Sequence, residues 1–224
     1  HRARLHGLLN RESTSADFFT PEVCATFDAI GVQIAGAVRL GLVVAELELA
    51  NRKLERLSMS DGLTGIANRR CFDRRLEEHW QRHLREGQSL ALLLVDVDCF
   101  KALNDVRGHV FGDECLRALA NLCAQVGEAG QALVARYGGE EFVLLLPRAD
   151  LQGARRLAEQ LCRRVEALAI AHPASPVAPH VTVSIGVSAA APDERRSSRS
   201  LVVAADQALY AAKAAGRNRV VAQA

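Results

Sequence analysis

Leu133-Val134-Ala135-Arg136-Tyr137-Gly138-Gly139-Glu140-Glu141-Phe142-Val143-Leu144-Leu145-Leu146 is the stretch on which the fold turns. Two apolar runs, Leu133–Tyr137 and Phe142–Leu146, flank a Gly-Gly pair. The pair reads as a two-residue hairpin turn, because both glycines can take positive φ. Around it, helix-like and strand-like stretches alternate. The spacing predicts helix Asn68–Glu86, strand Leu90–Val97 and helix Gly108–Val126 before the hairpin. Helix Leu151–Ala171, strand Val181–Val187, helix Ser200–Ala214 and strand Arg219–Ala222 follow it. A hairpin that interrupts strand–helix alternation argues against a simple doubly wound sheet. The fold class expected is α/β (α+β), a palm-like sheet with antiparallel pairing. Pro173–His180, with three prolines, and the polar stretch Ala191–Ser198 read as loops.

The hairpin also carries chemistry. Glu140 and Glu141 directly follow glycines whose lack of side chains lets a bulky anion approach the backbone. A solvated hairpin tip uses the same residues, so the second acidic cluster matters. Leu90–Val97 reads LALLLVDV, a continuous apolar run suited to a central strand covered on both faces. Asp96 lies near its C-terminal end, where open α/β sheets bind ligands. Alternation puts Asp96 and Asp98 on one face and Val97 on the other. An Asp on this strand beside a Glu on a neighbouring hairpin makes a hard-oxygen site suited to Mg²⁺, which takes one or two carboxylates and completes its shell with phosphate and water. A capping Asp at a strand end is the plainer alternative for either acid alone.

Five blocks extend this pattern from Asp61 to Val220: DGLTGIANRR (Asp61–Arg70), DVDCFKALND (Asp96–Asp105), GHVFGDECL (Gly108–Leu116), RYGGEEF (Arg136–Phe142), and SIGVS (Ser184–Ser188) with ADQALYAAKAAGRNRV (Ala205–Val220). In this order and spacing the chain resembles the GGDEF-domain diguanylate cyclases, which condense two GTP into cyclic di-GMP and two pyrophosphates. The resemblance implies a nucleotidyl-cyclase palm with a βααββαβ core. It also implies a homodimer in which each subunit holds one GTP half-site. By the same resemblance Asp96, the Val97 carbonyl, Glu141 and Glu140 hold Mg²⁺, with Mn²⁺ as the alternative and two ions per active site. Glu140, Glu141 and Lys101 are the catalytic residues it implies, Glu140 assisting deprotonation of the ribose 3′-hydroxyl. Gly138 and Gly139 let the nucleotide lie close to the turn, and Asn104 and Asp113 read the guanine edge. The backbone around Cys99 and Phe100, with Lys101, Lys213 and Arg217, holds the triphosphate.

The chemistry agrees. Phosphoryl transfer needs positioning and charge stabilisation more than covalent catalysis. A carboxylate acceptor matches the paired N–H donors of guanine, which adenine lacks. Of three lysines in the chain, Lys101 and Lys213 fall on phosphate positions, where a compact ammonium suits a point contact. Lys213 also suits a solvated last helical turn. One departure stands out. The inhibitory Arg-x-x-Asp motif that binds the cyclic product in many relatives matches Ala129 and Ala132 here, so high-affinity product inhibition is expected to be missing. A catalytically silent GTP-binding module and a cyclase of different nucleotide choice are the other classes open at this point.

Net charge is +2 with arginines interspersed among acids, which argues against a nucleic-acid partner. Six cysteines without a CxxC pair suggest reduced thiols in the cytoplasm rather than a disulfide framework or zinc site. No signal peptide and no apolar run of membrane-spanning length is read, so no membrane segment is expected. The sole methionine is Met59, and the chain is expected to be part of a longer protein.

Leu5–Leu40 (LHGLLNRES, then FFTPEVCATFDAIGVQIAGAV) resembles the last strand and final helix of a GAF sensor domain, with Thr20 as N-cap and Pro21 at the first helical position, and residues 1–36 are expected to be its C-terminal remnant. Residues 37–60 follow as a signalling helix. Leu40, Val43, Leu47, Ala50, Leu54 and Leu57 occupy a/d positions of a heptad, the pattern of a parallel coiled coil and hence of a homodimer through this long helical stalk. An amphipathic helix packed on its own domain shares that pattern. Residues 61–224 complete the division as the catalytic domain.

Overall fold

A computed structural model describes residues 20–57, 59–128 and 130–223. The LHGLLNRES stretch and Ala129 lie outside the described residues. The chain divides into two units at Ser58/Met59.

The first unit contains α1 (Pro21–Leu57), a continuous helix of 37 residues, about 55 Å at 1.5 Å per residue. Thr20 caps it as expected, its hydroxyl accepting the Val23 N–H at 3.3 Å. Exposed apolar side chains include the heptad positions Leu40, Val43 and Leu47, but also Val32, Ile34, Leu42 and Val44 on the other faces. The expectation that no run is long and apolar enough to cross a membrane is therefore corrected: Pro21–Glu48 has mean hydropathy 1.7 in its most apolar stretch and is long enough, by length and composition alone. Reading only a/d positions conceals this, because apolar residues also fill the remaining positions.

The second unit is a six-stranded sheet in the order β1-β3-β4-β2-β5-β6. In chain order it comprises β1 (Ala67–Asn68), α2 (Arg69–Glu86), β2 (Leu90–Val97), α3 (Phe100–Arg107), α4 (His109–Glu128) and β3 (Leu133–Gly138). The chain continues through β4 (Glu141–Pro147), α5 (Leu151–Ala167), β5 (Val183–Ala190), α6 (Ser198–Ala214) and β6 (Val220–Gln223). From β2 to β5 the order is βααββαβ. β2 is central, antiparallel to both β4 and β5, while β5–β6 and β1–β3 are parallel.

All eight β2 residues are buried, because both sheet faces are covered. Ala91, Leu93, Val95 and Val97 join the core under α3, α4 and α5. Leu90, Leu92 and Leu94 join a second core with Phe72, Leu76 and Trp80 of α2 and Leu201, Ala205 and Leu209 of α6. Each large side chain so buried contributes about 1.5–3 kcal/mol. Local signals fix the helix starts. Asn68 accepts the Cys71 N–H at 2.9 Å to open α2, and Asp150 accepts the Gly153 N–H at 2.6 Å to open α5.

The boundaries differ from the sequence reading in places with local causes. Cys99 at φ +56 and Gly108 at φ +81 set off α3 as a separate helix that the sequence reading left out. α5 stops at Ala167 instead of Ala171, and Ala169 takes φ +48, which a helix cannot propagate. β1 has only two residues, too short for any pattern to mark. No disulfide joins the described cysteines; Cys115, Cys123 and Cys162 are buried. Burial pushes the Cys115 thiol up to about 11 and the Cys123 and Cys162 thiols up to about 12, so they stay protonated.

Candidate active site

The register of β2 against β4 sets Asp96 directly opposite Glu141. Directly opposed residues share a sheet face, so both carboxyls project together. The hairpin that delivers Glu141 differs from expectation by one residue. Its turn is centred on Gly139 and Glu140, with Gly139 alone at positive φ (+53), while Gly138 still belongs to β3. A register shift between Arg136 and Gly138 causes the offset. Glu140 is thus a turn residue, and its carbonyl accepts the Val97 N–H at 3.4 Å, tying the turn to the end of β2.

Asp96 is 7% exposed, and Lys213 of α6 reaches it with Nζ at 2.7 Å from Oδ2. Burial raises the Asp96 carboxyl above its ordinary range, against the lowering by Lys213 and with further raising by the charges of Glu140 and Asp98. Glu141 is raised as well, first by burial and then by Asp96, with Lys213 opposing and Glu140 and Asp206 adding. Two neighbouring carboxyls both resist ionisation here, which marks a place short of positive charge. The available donors are hard oxygens: Asp96, Glu140, Glu141 and the Val97 carbonyl. They fit a divalent cation that keeps water and phosphate in its shell. Among the described residues no three His, Cys, Asp or Glu side chains form a ready-made cage.

A second group sits on α3 and α4. Asn104 Oδ1 is buried without a hydrogen-bond partner. A Cβ on Gly112 would collide with Asn104 Oδ1 and crowd the Phe100 ring, so glycine lets α4 pass with the amide in this position. Half-buried Asp113 follows Gly112 directly. An unpaired amide oxygen and a carboxylate are both acceptors, the kind of group that a base edge rich in N–H donors calls for. Cys99 and Phe100 open α3 at the end of β2, Lys101 is exposed on its first turn, and Arg217 is half-buried beyond α6.

The sequence reading assigned no role to Arg136 and Asp61, although both fall in the quoted blocks. Arg136 Nε donates to the Gly139 carbonyl at 2.9 Å, and its Nη1 donates to Asp61 at 3.1 and 3.3 Å. Asp61 also accepts the Thr64 hydroxyl at 2.7 Å and the Thr64 N–H at 2.9 Å. Burial tends to raise the Asp61 carboxyl, but the Thr64 and Arg136 donors outweigh it and hold the carboxyl below the ordinary range. The turn glycine is therefore braced to the first residues of the unit. Seventy-five residues separate the partners, and no spacing rule joins them.

A cleft of about 510 Å³ lies between α2 and α6, lined by Arg69, Asp73, Leu94, Tyr137, Arg199 and Asp206 among others, and none of the site residues above lines it. The acids lie instead around the C-terminal end of β2.

Residues 58–219 match the family described as diguanylate cyclase, GGDEF domain. The chain belongs to the GGDEF diguanylate cyclase family. It is 43% identical over 182 residues to the diguanylate cyclase DgcM of Escherichia coli, covering 80% of this chain and 42% of that protein. It is 41% identical over 170 residues to the response regulator PleD of Caulobacter vibrioides, covering 75% and 37%. The chain thus spans about two fifths of the length of each of these two relatives. Among solved structures, the coiled coil and GGDEF domain of DgcB from Caulobacter crescentus, in complex with c-di-GMP, matches with TM-score 0.69 and 32% identity. That match covers 84% of this chain and 98% of that one. The active GGEEF domain of a diguanylate cyclase from Vibrio cholerae matches with TM-score 0.61 and 34% identity, covering 70% and 98%. These neighbours share the palm-like fold, and GGDEF cyclases generally use divalent metal ions.

Proposed function

We propose that this chain converts two GTP to cyclic di-GMP and two pyrophosphates, as a homodimer with one GTP per subunit. The observation that carries the reading is the Asp96–Glu141 pair at the hairpin, with Lys213 on Asp96 and Glu140 on the adjacent turn. Each ribose 3′-hydroxyl attacks the α-phosphorus of the GTP on the partner. A P–O bond forms there, the bond to pyrophosphate breaks, and the hydroxyl proton passes to Glu140. Asp96, the Val97 carbonyl, Glu141 and Glu140 would hold Mg²⁺, or Mn²⁺, as two ions per active site; bound cations would neutralise charge developing on the phosphates. Lys101, Lys213 and Arg217, with the Cys99–Phe100 backbone, hold the triphosphate. Asn104 and Asp113 select guanine, and Gly138 and Gly139 leave room for the nucleotide.

Because one subunit carries half a site, dimerisation through α1 controls the rate in this reading, the heptad residues Leu47 and Leu54 forming part of the seam. Asp at both positions should lower turnover strongly, and an unchanged rate would exclude the coiled-coil coupling. With Ala132 and Ala129 in place of the inhibitory pair, submicromolar cyclic di-GMP should not slow the enzyme. A substrate of this kind places the catalytic unit in the cytoplasm.

The test is incubation of the chain with GTP and Mg²⁺, products being resolved by ion exchange and mass spectrometry beside Glu140→Ala. Cyclic di-GMP from the parent alone supports the proposal. GTP binding without product would reassign the chain as a silent GTP-binding module.

A further inference from the structure

Asp96 and Asp98 are two residues apart and read from sequence as neighbours on one face, yet the structure gives them different surroundings. Asp98 is 1% exposed. Its Oδ2 accepts the Thr182 hydroxyl at 2.8 Å and the Asn218 backbone N–H at 3.1 Å, and its Oδ1 accepts the Ser184 hydroxyl at 2.7 Å. Both oxygens are therefore engaged by protein donors. A carboxylate so occupied is poorly placed to ligate a cation as well.

What it holds is unusual. Arg217 and Asn218 are consecutive non-glycine residues in the left-handed region, at φ +63 and +45. Such residues persist when their surroundings over-determine them. Here the Arg217 N–H bonds the Ala212 carbonyl at 3.1 Å, the Gly216 N–H bonds the Lys213 carbonyl at 3.3 Å, and Asn218 Nδ2 donates to Glu166 Oε1 at 2.6 Å. Asp98 fastens the far end of this turn to the strand that carries Asp96.

We propose that Asp98 is a positioning residue. It anchors the turn from Gly216 to Arg219 through the Asn218 amide and thereby fixes Arg217 relative to the end of β2. That Arg217 meets the triphosphate rests on the cyclase reading; the anchoring itself does not.

Four variants separate hydrogen bonding from charge. Asp98→Ala removes the acceptor, and Asn218→Pro removes the donor and cannot take positive φ. Asp98→Asn loses the charge, but its amide oxygen can still accept the Asn218 N–H while its nitrogen donates to Ser184. Asn218→Gly keeps the N–H and accepts positive φ.

Hydrogen exchange on the intact chain should show residues 215–219 exchanging at least about tenfold faster in Asp98→Ala and Asn218→Pro. β2 and β5 should stay protected, and Asp98→Asn and Asn218→Gly should remain close to the parent. Binding of 3′-deoxy-GTP, which lacks the attacking hydroxyl, should weaken about tenfold in the first two variants and less than about threefold in the other two. The Asp98→Ala, Asn218→Pro double variant should bind no worse than either single one. Unchanged exchange at 215–219, or exchange raised equally across β2 and β5, would overturn the anchor. So would a raised half-saturating Mg²⁺ concentration in Asp98→Asn, which would make Asp98 part of the cation site. If the parent makes no cyclic di-GMP, the exchange result still decides the anchor by itself.

Discussion

At the end of β2 two acidic regions stand side by side with opposite construction. Asp96 and Glu141 face each other across β2 and β4, burial raises both carboxyls with neighbouring acids adding to it (Glu140 and Asp98 at Asp96; Asp96, Glu140 and Asp206 at Glu141), and Lys213 is the donor described on Asp96. Two residues on, Asp98 is more deeply buried but receives two hydroxyls and a backbone N–H. The first region leaves negative charge without enough partners, and the second satisfies it fully. Burial alone therefore does not distinguish a reactive acid from a structural one; the supply of donors does.

The contrast is broken most sharply by removing charge from the first region. Asp96→Asn or Glu141→Gln should lower the rate of cyclic di-GMP formation about a thousandfold, on the order of 4 kcal/mol, if these groups act on developing charge. Asp98→Asn should stay within about an order of magnitude of the parent, in keeping with a hydrogen-bonding role. Initial rates at saturating GTP make the comparison, and equal losses at all three positions would erase it.

A cation should answer the charge deficit. Mg²⁺ at about 100 times its dissociation constant should stabilise the folded chain by about 2.7 kcal/mol. The gain should be larger at pH 7 than at pH 5, because the raised carboxyls must release protons before they bind. Thermal melts with and without Mg²⁺ at the two pH values test this. Glu141→Gln should blunt the response, and a shift independent of pH would argue against these acids as the site.

The sequence made one of these regions visible and hid the other. The uninterrupted apolar run Leu90–Val95 ending in Asp96 marked a buried strand, and β2 has the expected bounds. The hairpin was equally legible, but its turn slid by one residue, because the irregularity between Arg136 and Gly138 is a property of the pairing and not of any one strand. Asp98 looked like a companion of Asp96, since alternation reports a face and says nothing of partners 84 to 120 residues away. The Asn104–Gly112 contact and the Arg136–Asp61 brace are likewise joined only by the fold. α1 taught the reverse lesson: its heptad was legible, and reading it obscured the apolar residues on its other faces.

A third, smaller effect concerns the brace. Arg136→Ala removes the donor to the Gly139 carbonyl and the ion-pair partner of half-buried Asp61, which keeps its Thr64 donors. The expected cost is about 1–2 kcal/mol of stability, with a loss of turnover of about tenfold or more as the turn loosens. Asp61 is held below the ordinary carboxyl range in the folded chain. Its contribution is thus fully present above the unfolded value, near 4, and is lost as pH falls through the lowered folded value. Asp61→Asn should accordingly flatten the acid limb of a stability–pH curve measured by urea unfolding. A limb of unchanged slope would remove the brace from the account.

The smallest effect runs in the opposite direction. Glu141 is raised in the folded chain, so the folded state keeps its proton to higher pH than the unfolded state does. Stability must then fall as pH rises from the unfolded value through the raised folded one, and it stays lower above that point. Without a divalent cation at pH 7, Glu141→Gln should therefore melt higher than the parent. The advantage should shrink toward pH 4 and reverse when Mg²⁺ is added, because the parent then gains more from the cation than the variant does. An acid that destabilises its own fold until a cation arrives is kept for function. A metal-free melt in which glutamine confers no advantage would show that Glu141 is as well satisfied as Asp98, and the distinction between the two regions would fail.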